Sequence, residues 1–558
     1  MTILFTTLFL IVAVAVSWPL GYFMFRVMEL GPKLSPLHAA LEKFIARIGG
    51  KFITQGSDWK EYCIAMLIFN VLMFAAVFLV LLGQSVLPLN PDGKGPLELS
   101  LLFHTVASFV TNTNQQHYSG EVSLSYFSQF ALMWLQFLTP ATGVAVLAAI
   151  SRALAGSTDV GNFYRDILRA TLFILLPLAI VAGLILVFSG IPMTLGGTIK
   201  AITLEGPAQL ISRGPVAAFT AIKQLGTNGG GFFGPNSAHP FENPSFFTNA
   251  IECFCIVIIP MACVWMFGRI TGRMKHALLI FVVMGSLMAV KTGLAEYFED
   301  APSRALTGLA VVRNVGNQEG KELRFGTEAS ALWCVATTST SNGSVNCMHD
   351  SLNPLTLLLP LFGMWSNVAF GGAGVGLINM FLYIIIGVFI CGMMVGRSPE
   401  YLARKVETGE MKLALLALLA HPLLILGCTA WFSMMPWGAD TVNNPGSHGF
   451  TEILYEFTSA AANNGSGMEG LKDNTVPWNV VAGIVMLLGR FIPIILPLAI
   501  AGMLAAKKPV PETSGTLHTD RTLFGFVLLG SVIFIGALLF LPVAVLGPIA
   551  EHLISLTK

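Results

Sequence analysis

Charged residues are scarce in this 558-residue chain. Asp, Glu, Lys and Arg make up 11% of it, whereas soluble domains carry roughly 25%. The formal net charge is +1, so the chain lacks the excess of basic residues that binds a nucleic acid. Hydrophobic residues reach 54% and the mean hydropathy is +0.73, which indicates an integral membrane protein.

Nucleotide-binding motifs are also missing. The chain has no GxxxxGK[ST] loop and no Asp-Lys-Thr-Gly phosphorylation sequence. Its longest expected cytoplasmic connection, about Val27 to Tyr62, is too short for an ATP-binding domain. An intramembrane enzyme would need a nucleophile and a base, or metal ligands, converging at depth, and the sequence shows no such set. We therefore expect a non-enzyme that binds no nucleotide itself.

Paired cysteines and metal-binding motifs are absent as well. None of the eight cysteines forms a CxxC pair, and we expect small buried hydrophobes; a disulfide between Cys334 and Cys347 is left open. Four histidines flank the pore segments described below: His117, His239, His349 and His448. No HExxH or Cys/His cluster accompanies them, so we expect structural hydrogen bonds. K⁺ is the only metal expected, with no transition-metal site.

Long apolar runs, in contrast, are abundant. A membrane-spanning helix needs about 20 apolar residues, and ten candidate spans are visible. They lie near Ile3–Phe25, Cys63–Leu82, Tyr126–Ile150, Ile167–Phe188, Ala250–Met266, Ala277–Leu294, Leu355–Val395, Leu413–Met434, Val480–Ala506 and Leu523–Leu546. The first run lacks the charged start and cleavage site of a signal peptide, so we interpret it as a retained transmembrane helix.

Four shorter, half-polar segments lie between alternate spans. They are Leu99–Val110, Pro215–Leu225, Ala329–Thr338 and Phe450–Ala462. Their length, about 10–13 residues, suits a re-entrant pore helix better than a full span. Each segment leads into a short polar loop rich in Asn, Gly, Thr or Ser.

The polar loops recur at a nearly constant period. With Asn112, Asn228, Asn342 and Asn464 as markers, the gaps are 116, 114 and 122 residues. Such self-similarity indicates an internal repeat. Four units of span, pore helix, loop and span predict an all-α membrane protein with a central pseudo-fourfold pore and one extra helix at each end. The predicted division is an N-terminal helix and cytoplasmic loop (1–61), four repeats (62–165, 166–273, 274–410 and 411–510) and a C-terminal helix (511–558).

Neutral oxygen atoms dominate these loops, which contain no Asp or Glu. Removing a cation from water costs tens of kcal/mol on an idealised estimate, and rings of backbone carbonyls can replace the hydration of K⁺. The loops therefore predict a filter for a monovalent cation; the alternative is four ordinary polar turns. The predicted filter residues are Thr111, Asn112, Thr113, Thr227, Asn228, Gly229, Ser341, Asn342, Gly343, Asn463, Asn464 and Gly465.

Two features near the loops suggest a gate or barrier. The stretch Ala369–Gly376 interrupts the seventh span with glycines, each of which weakens a helix by about 1 kcal/mol; the alternatives are a break that gates the pore and close helix packing. Arg490 lies inside an apolar span, where its charge would repel a permeating cation, unless it is structurally paired. The gate or barrier residues are Gly371, Gly372, Gly374, Gly376 and Arg490. Lys291, near the end of its span, is interpreted as snorkelling to the interface.

Basic residues predict the orientation, because short cytoplasmic loops collect Lys and Arg. One set of loops holds most of them: Arg26, Lys33, Lys43, Arg47, Lys51, Lys60, Arg152, Arg165, Arg169, Arg269, Arg273, Lys275, Arg397, Arg404, Lys405, Lys412, Lys507, Lys508 and Arg521. These loops are expected to be cytoplasmic. The polar loops and both termini would then face outside, with Ile191–Gly214 and Glu299–Phe325 as an extracellular cap.

Six stretches resemble the potassium-binding subunits of the bacterial potassium-transporting ATPase, the KdpA family. They are Val110–Asn114, Gly226–Phe233, His239–Pro244, Met348–Ser351, Gly396–Tyr401 and Asn463–Ser466. The resemblance runs over nearly the whole chain. In the first loop, Thr113 is interpreted as standing where the other loops have glycine.

The resemblance implies a four-repeat potassium-transporter fold, related to Trk, Ktr and HKT transporters, in the bacterial inner membrane. It also implies a complex with a P-type ATPase subunit, KdpB, and a single-span subunit, KdpC; a small one-helix subunit, KdpF, and lipid are further candidate partners. In that family K⁺ enters the filter from outside and passes laterally through an inter-subunit tunnel to the ATPase subunit. The glycine break and Arg490 would then form the gate and barrier under the filter.

Two other functions stay open. The first is a standalone Trk- or Ktr-like channel or transporter gated by a cytosolic partner. The second, from another class, is a non-conducting membrane scaffold, which would show no ion-dependent stabilisation.

Overall fold

The computed structural model describes residues 2–30, 36–302, 315–394, 396, 398–511 and 518–557. Lys33, Arg397 and part of the predicted cap Glu299–Phe325 lie outside these residues. The first half comprises α1 (Thr2–Phe25), α2 (Pro36–Gly49), α3 (Lys51–Thr54), α4 (Trp59–Leu82), α5 (Leu99–Val110), α6 (Gly120–Ser123), α7 (Tyr126–Ala155), α8 (Phe163–Arg169), α9 (Leu176–Phe188), β1 (Ile199–Ile202), β2 (Ala208–Ile211), α10 (Val216–Leu225) and α11 (Phe246–Ile270). The second half comprises α12 (Met274–Glu299), α13 (Gly326–Ser339), α14 (Pro354–Ser366), α15 (Val375–Met394), β3 (Glu400–Tyr401), β4 (Arg404–Lys405), α16 (Thr408–Met434), α17 (Pro436–Ala439), α18 (Ser447–Ala461), α19 (Val476–Ala505), α20 (Thr522–Ala544) and α21 (Ala550–Thr557).

Ten helices in the described part of the chain are long and apolar enough to cross a membrane, as the sequence predicts. π-Helical turns extend α1 (Arg26–Leu30), join α8 to α9 (Ala170–Leu175) and join α20 to α21 (Val545–Ile549). The two small sheets are antiparallel hairpins, β1 with β2 and β3 with β4. The fold is therefore an all-α integral membrane architecture.

Polar side chains define where several helices begin and end. The Asp58 carboxylate accepts hydrogen bonds from the backbone N–H groups of Lys60 and Glu61, and Glu61 bonds back to Asp58, which makes a capping box at the start of α4. Glu98 caps α5 in the same position. Gly156, at φ 108°, ends α7 in a left-handed conformation.

The helix that follows each polar loop forms the inner layer of the fold. In the most apolar 18-residue stretch of α7, α11 and α15, 78–83% of the residues are buried, and in that of α19 56% are buried. The corresponding fraction is only 22–28% in α1, α4, α16 and the α20–α21 segment. The first group of helices is thus largely enclosed by protein, and the second group presents apolar faces of the kind that suits lipid.

The seventh predicted span is broken, as one of the two alternatives expects. Helix α14 ends at Ser366 and α15 begins at Val375. Asn367 ends α14 in the left-handed conformation, and Phe370, Gly371 and Gly374 also have positive φ. These angles cannot continue a right-handed helix, so the chain crosses in two pieces.

The four pore helices are α5, α10, α13 and α18, within four residues of the predicted segments. The numerical repeat boundaries remain a prediction. Three of them, after residues 61, 165 and 410, cut α4, α8 and α16 shortly after these helices begin.

Candidate functional site

Each pore helix ends directly at a polar loop. Helices α5, α10, α13 and α18 end at Val110, Leu225, Ser339 and Ala461. The C-terminus of a helix carries a partial negative charge of roughly half an elementary charge. Four such ends lead into buried loops, so the local field at the loops favours a cation.

The four loops share one backbone conformation. Two residues in each loop, separated by one position, have positive φ. The pairs are Asn112 and Asn114, Thr227 and Gly229, Ser341 and Gly343, and Asn463 and Gly465. The intervening residue donates its backbone N–H to a carbonyl in the preceding helix over 2.9 Å in every loop: Thr113 to Ser108, Asn228 to Lys223, Asn342 to Thr337 and Asn464 to Ser459.

This geometry corrects the register of the first loop. Thr113, and not Asn112, is equivalent to Asn228, and Asn114 occupies the position that is glycine elsewhere. Asparagine tolerates the left-handed conformation better than most residues, which is why the sequence differs while the backbone does not. Thr111 caps α5, and its hydroxyl donates to Ala107 O over 2.8 Å. Aligning the loops on the helix ends would have found Asn114, which the sequence analysis missed.

The loops contact one another in a closed cycle. A Cβ atom on three of the glycines would lie within 2.0–2.1 Å of a carbonyl oxygen of the next loop. The pairs are Gly229 with Asn342 O, Gly343 with Asn464 O, and Gly465 with Thr113 O. Between the first and second loops, Asn112 Nδ2 donates to Thr227 O over 2.8 Å. The order is therefore one, two, three, four, and the loops enclose a common axis.

The asparagine amides of the loops hold neighbouring repeats together. Asn342 Nδ2 donates to Lys223 O over 3.1 Å, and Asn464 Nδ2 donates to Thr337 O over 2.9 Å. Asn463 Nδ2 donates to Thr113 Oγ1 over 2.9 Å. These amide nitrogens thus hold the loops of neighbouring repeats in place.

A buried ion pair supports the second loop. Lys223, in α10, pairs with Glu242 and donates to Asn236 Oδ1 over 2.9 Å. Asn236 Nδ2 in turn donates to Gly229 O over 2.7 Å, and Glu242 accepts from Phe233 N over 2.8 Å. The sequence analysis did not identify this group, although Glu242 lies in the His239–Pro244 motif.

The break between α14 and α15 lies against the loops. Gly371 N donates to Ser339 O over 2.8 Å, and Ala373 N donates to Thr227 Oγ1 over 3.0 Å. Asn367 accepts from Ser341 Oγ over 2.7 Å and donates to Ala462 O over 3.1 Å. Gly372 lies within the break, whereas Gly376 lies in the first turn of α15.

A cavity of about 50 Å³ extends from the loops to Arg490. Asn112, Ser341 and Asn463 line one side of it, as does Gly372 of the break. Arg490 is 5% exposed and donates from Nη2 to Thr139 O over 3.1 Å. Among the residues that the structure describes, no carboxylate lies within 4.0 Å of its guanidinium. Its charge is therefore exposed to the cavity without an anionic partner.

The interpretation of Lys291 as a snorkelling residue is wrong. Its side chain is buried, and Nζ donates to Ser339 Oγ over 2.6 Å. Ser339 is the last residue of α13, where the helix dipole is negative. That dipole and the hydroxyl attract the ammonium group inward.

The four flanking histidines make hydrogen bonds, as expected. His349 Nδ1 lies 2.7 Å from Tyr455 Oη, and His239 Nδ1 accepts from Phe241 N over 3.1 Å. His117 contacts Glu456 and Asn479. At the start of α18, burial lowers the pKa of His448, but hydrogen bonds to Asp350 and Glu551 outweigh it and raise the pKa to about 10.

The thiols of Cys334 and Cys347 are both free and buried. They do not form a disulfide in this structure. The sequence analysis left this pairing open, and the buried position agrees with its expectation of small apolar side chains.

Comparisons with known proteins agree over nearly the full length. The family model described as potassium-transporting ATPase A subunit matches residues 7–553. The potassium-transporting ATPase potassium-binding subunit of Flavobacterium johnsoniae is 46% identical, with 97% of each chain covered. The subunit of the same name from Geobacillus kaustophilus is 45% identical, with 98% of each covered.

The fold is shared with a solved potassium transporter. The potassium transporter TrkH from Vibrio parahaemolyticus matches with a TM-score of 0.54 at 14% sequence identity. The match covers 88% of this chain and 97% of that one.

Proposed function

The chain belongs to the potassium-transporting ATPase A subunit family, and from this premise we propose that it binds K⁺ selectively and translocates it as the potassium-binding subunit of an ATP-driven uptake pump. The observation that carries the proposal is the closed cycle of four neutral loops with one backbone conformation. Such a cycle can surround a dehydrated cation with carbonyl oxygens.

The filter consists of backbone carbonyls at two levels of the cycle. One level comprises Asn112, Thr227, Ser341 and Asn463, and the other comprises Thr113, Asn228, Asn342 and Asn464. The shared φ pattern supports this assignment because equivalent residues orient their peptide groups alike. The three glycines permit the close approach of neighbouring loops, and Asn114 adopts the equivalent left-handed angle in the first loop.

Below the filter, the glycine break and Arg490 act as gate and barrier. The break is hydrogen-bonded to the second and third loops, so a change in one alters the other. The unpaired charge of Arg490 opposes free passage of a cation toward the cytoplasm. The cavity also reaches Pro422 of α16 and Leu539 of α20, which supports a lateral exit between helices.

ATP hydrolysis belongs to a partner. K⁺ passes laterally to a P-type ATPase subunit, KdpB, in a complex that also holds KdpC, with KdpF and lipid as further partners. The complex resides in the bacterial inner membrane, with the polar loops and both termini outside. The distribution of Lys and Arg supports this orientation.

The second candidate is a standalone Trk-like transporter, favoured by the shared fold with TrkH. Affinity purification of the tagged chain from membranes separates the two candidates. Recovery of a P-type ATPase supports the pump subunit, whereas recovery of a cytosolic nucleotide-binding ring supports the alternative.

The decisive experiment is thermal unfolding of the purified chain in detergent, titrated with K⁺ or Na⁺ at constant ionic strength. A selective site occupied at 100 times its Kd adds about 2.7 kcal/mol to the free energy of unfolding. Stabilisation by K⁺ but not by Na⁺ supports the filter. Equal stabilisation by K⁺ and Na⁺ contradicts the filter if the complex with its partners gives the same result. No stabilisation by either ion favours a scaffold.

A further inference from the structure

Three ligand-forming side chains from distant parts of the chain meet beside the loop cycle. His117 Nε2 lies 3.0 Å from Glu456 Oε1 and 3.8 Å from Asp473 Oδ2, and the donor atoms of all three lie within 4.8 Å of one another. His117 follows the first loop, Glu456 belongs to α18, and Asp473 follows the fourth loop. The group therefore joins the first and fourth repeats.

The tautomer of His117 leaves Nε2 facing two carboxylates. His117 Nδ1 lies 2.7 Å from Asn479 Oδ1, and an amide oxygen only accepts hydrogen bonds. The Asn479 amide is oriented by its own Nδ2, which donates to Ser100 Oγ and Asn474 Oδ1 over 3.0 and 3.1 Å. Nδ1 therefore carries a proton, and Nε2 is the ring atom that faces both acids, where a metal ion would take the place of a second proton.

A positive charge between these atoms would relieve the repulsion. A proton on Nε2 reaches Glu456 at 3.0 Å but not Asp473, because 3.8 Å exceeds hydrogen-bond length. A single metal ion can be coordinated by both carboxylates. Zn²⁺ binds His nitrogen and carboxylate oxygen at about 2.1 Å in a tetrahedron, which places its ligands about 3.4 Å apart, between the two observed distances.

The site also has an outer partner and an entry route. A metal-bound histidine usually donates its second ring N–H to a fixed acceptor, as His117 does to Asn479. The side chains of His117 and Glu456 are 0% and 2% exposed, whereas that of Asp473 is 30% exposed. An ion can therefore enter past Asp473 and complete its coordination with water.

A second group, Asp350, His448 and Glu452, lacks these features. Both nitrogens of His448 already contact carboxylates, Asp350 and Glu551, over 2.9 Å each. Glu452 accepts backbone hydrogen bonds from Asn443 and Asn444 over 2.7 and 2.9 Å. A metal would have to break these bonds.

We propose that His117, Glu456 and Asp473 form a binding site for a divalent transition-metal ion of the Zn²⁺ class, which links the first and fourth repeats. This proposal departs from our sequence-based expectation of no transition-metal site. That expectation rested on local motifs, and these ligands are too far apart in sequence to form one. The site is independent of the proposed K⁺ filter.

The test is equilibrium dialysis of the purified full chain against Zn²⁺ at constant K⁺ concentration, with bound metal counted per chain. We expect one Zn²⁺ per wild-type chain. Both His117→Gln and Asp473→Asn should weaken binding at least about tenfold, the lower end of the loss caused by removing even an outer partner. Asp473→Glu should retain binding because it keeps the carboxylate.

The matched control is His448→Gln, which removes a histidine from the other group and should leave the Zn²⁺ stoichiometry unchanged. Asp473 is partly exposed in a loop, so Asp473→Asn should remove the ligand without unfolding the chain. Elution of this variant as a single species in detergent verifies its fold. The proposal is overturned if the wild type binds no Zn²⁺, which would leave a proton as the only cation at His117. It is also overturned if Asp473→Asn binds normally or if His448→Gln abolishes binding.

Discussion

The first polar loop and the other three reach one backbone conformation with different residues. At the second positive-φ position the first loop has Asn114, and the others have glycine. Where glycine is present, the next loop's carbonyl fills the space of a Cβ atom. The loop geometry therefore depends on where the pore helix ends and on two left-handed backbone angles. It does not require the same residue type in every repeat.

A second contrast, between the second repeat and the third and fourth, lies in the pore helices. Four equivalent residues supply the carbonyl that the loop binds: Ser108, Lys223, Thr337 and Ser459. The hydroxyls of Thr337 and Ser459 also accept the glycine N–H of their loops, both over 2.9 Å. Lys223 cannot accept, and the second loop instead depends on the buried pair with Glu242.

Removing one partner of the Lys223–Glu242 pair should lower the stability of the protein more than any other change considered below. Lys223→Met leaves Glu242 charged and buried without its partner, which costs about 3–5 kcal/mol. We expect a strongly lowered thermal unfolding midpoint. Ser108→Ala, the matched change in the first repeat, should cost only about 1 kcal/mol. The double variant Lys223→Met/Glu242→Gln should recover much of the loss; a double variant as unstable as the single one would contradict the pairing.

A charge placed at the filter should harm selectivity more than folding. Gly229 has φ 80°, and its Cβ would lie 2.1 Å from Asn342 O, so Gly229→Asp must displace a filter carbonyl. Left-handed strain costs about 1–2 kcal/mol of folding free energy, and the displaced carbonyl should weaken K⁺ binding by about tenfold, or roughly 1.4 kcal/mol. The ratio of K⁺ to Na⁺ concentrations that give equal stabilisation measures the effect. Gly206→Asp, at φ 98° in an open turn, is the control, and normal K⁺ preference in Gly229→Asp would count against the filter.

Making the first loop resemble the others should change little. Asn114→Gly keeps the left-handed angle without strain but loses the hydrogen bond from Gln136 Nε2, which is 2.9 Å long. We expect a stability change within about 1 kcal/mol and an unchanged K⁺ preference in the same titration. A loss of preference as large as that of Gly229→Asp would show that the first loop is not equivalent to the rest.

The last effect depends on pH and is expected at the start of the fourth pore helix, where His448 contacts two carboxylates, whereas Glu98 caps the first pore helix. The pKa of His448 is raised to about 10 by Asp350 and Glu551 despite burial. Its contribution to stability is therefore fully present below pH 6.5, the ordinary pKa, and is lost as the pH rises toward 10. The unfolding midpoint of the wild type should fall over this window more than that of His448→Gln. Parallel curves would refute the assignment.

Local features of the sequence predicted most of the helices. Apolar runs determine the spans, and α5 coincides with the predicted Leu99–Val110. The loop positions followed from the Asn/Gly pattern. The register of the first loop did not, because Asn112 and Asn114 are both asparagines and both have positive φ. Only the helix end at Val110 distinguishes their positions.

By itself, the sequence predicted ten candidate membrane spans and four neutral loops, because apolar run length and the Asn/Gly pattern of the loops are local features; the described part of the chain has ten helices that are long and apolar enough to span. The tertiary structure alone decided how the loops close into a cycle, why Lys291 turns inward, and which acid neutralises Lys223. It also decided that His117 meets Glu456 and Asp473. The physical reason is that burial, charge pairing and dipole attraction depend on neighbours brought from distant repeats, and a linear pattern does not contain those distances.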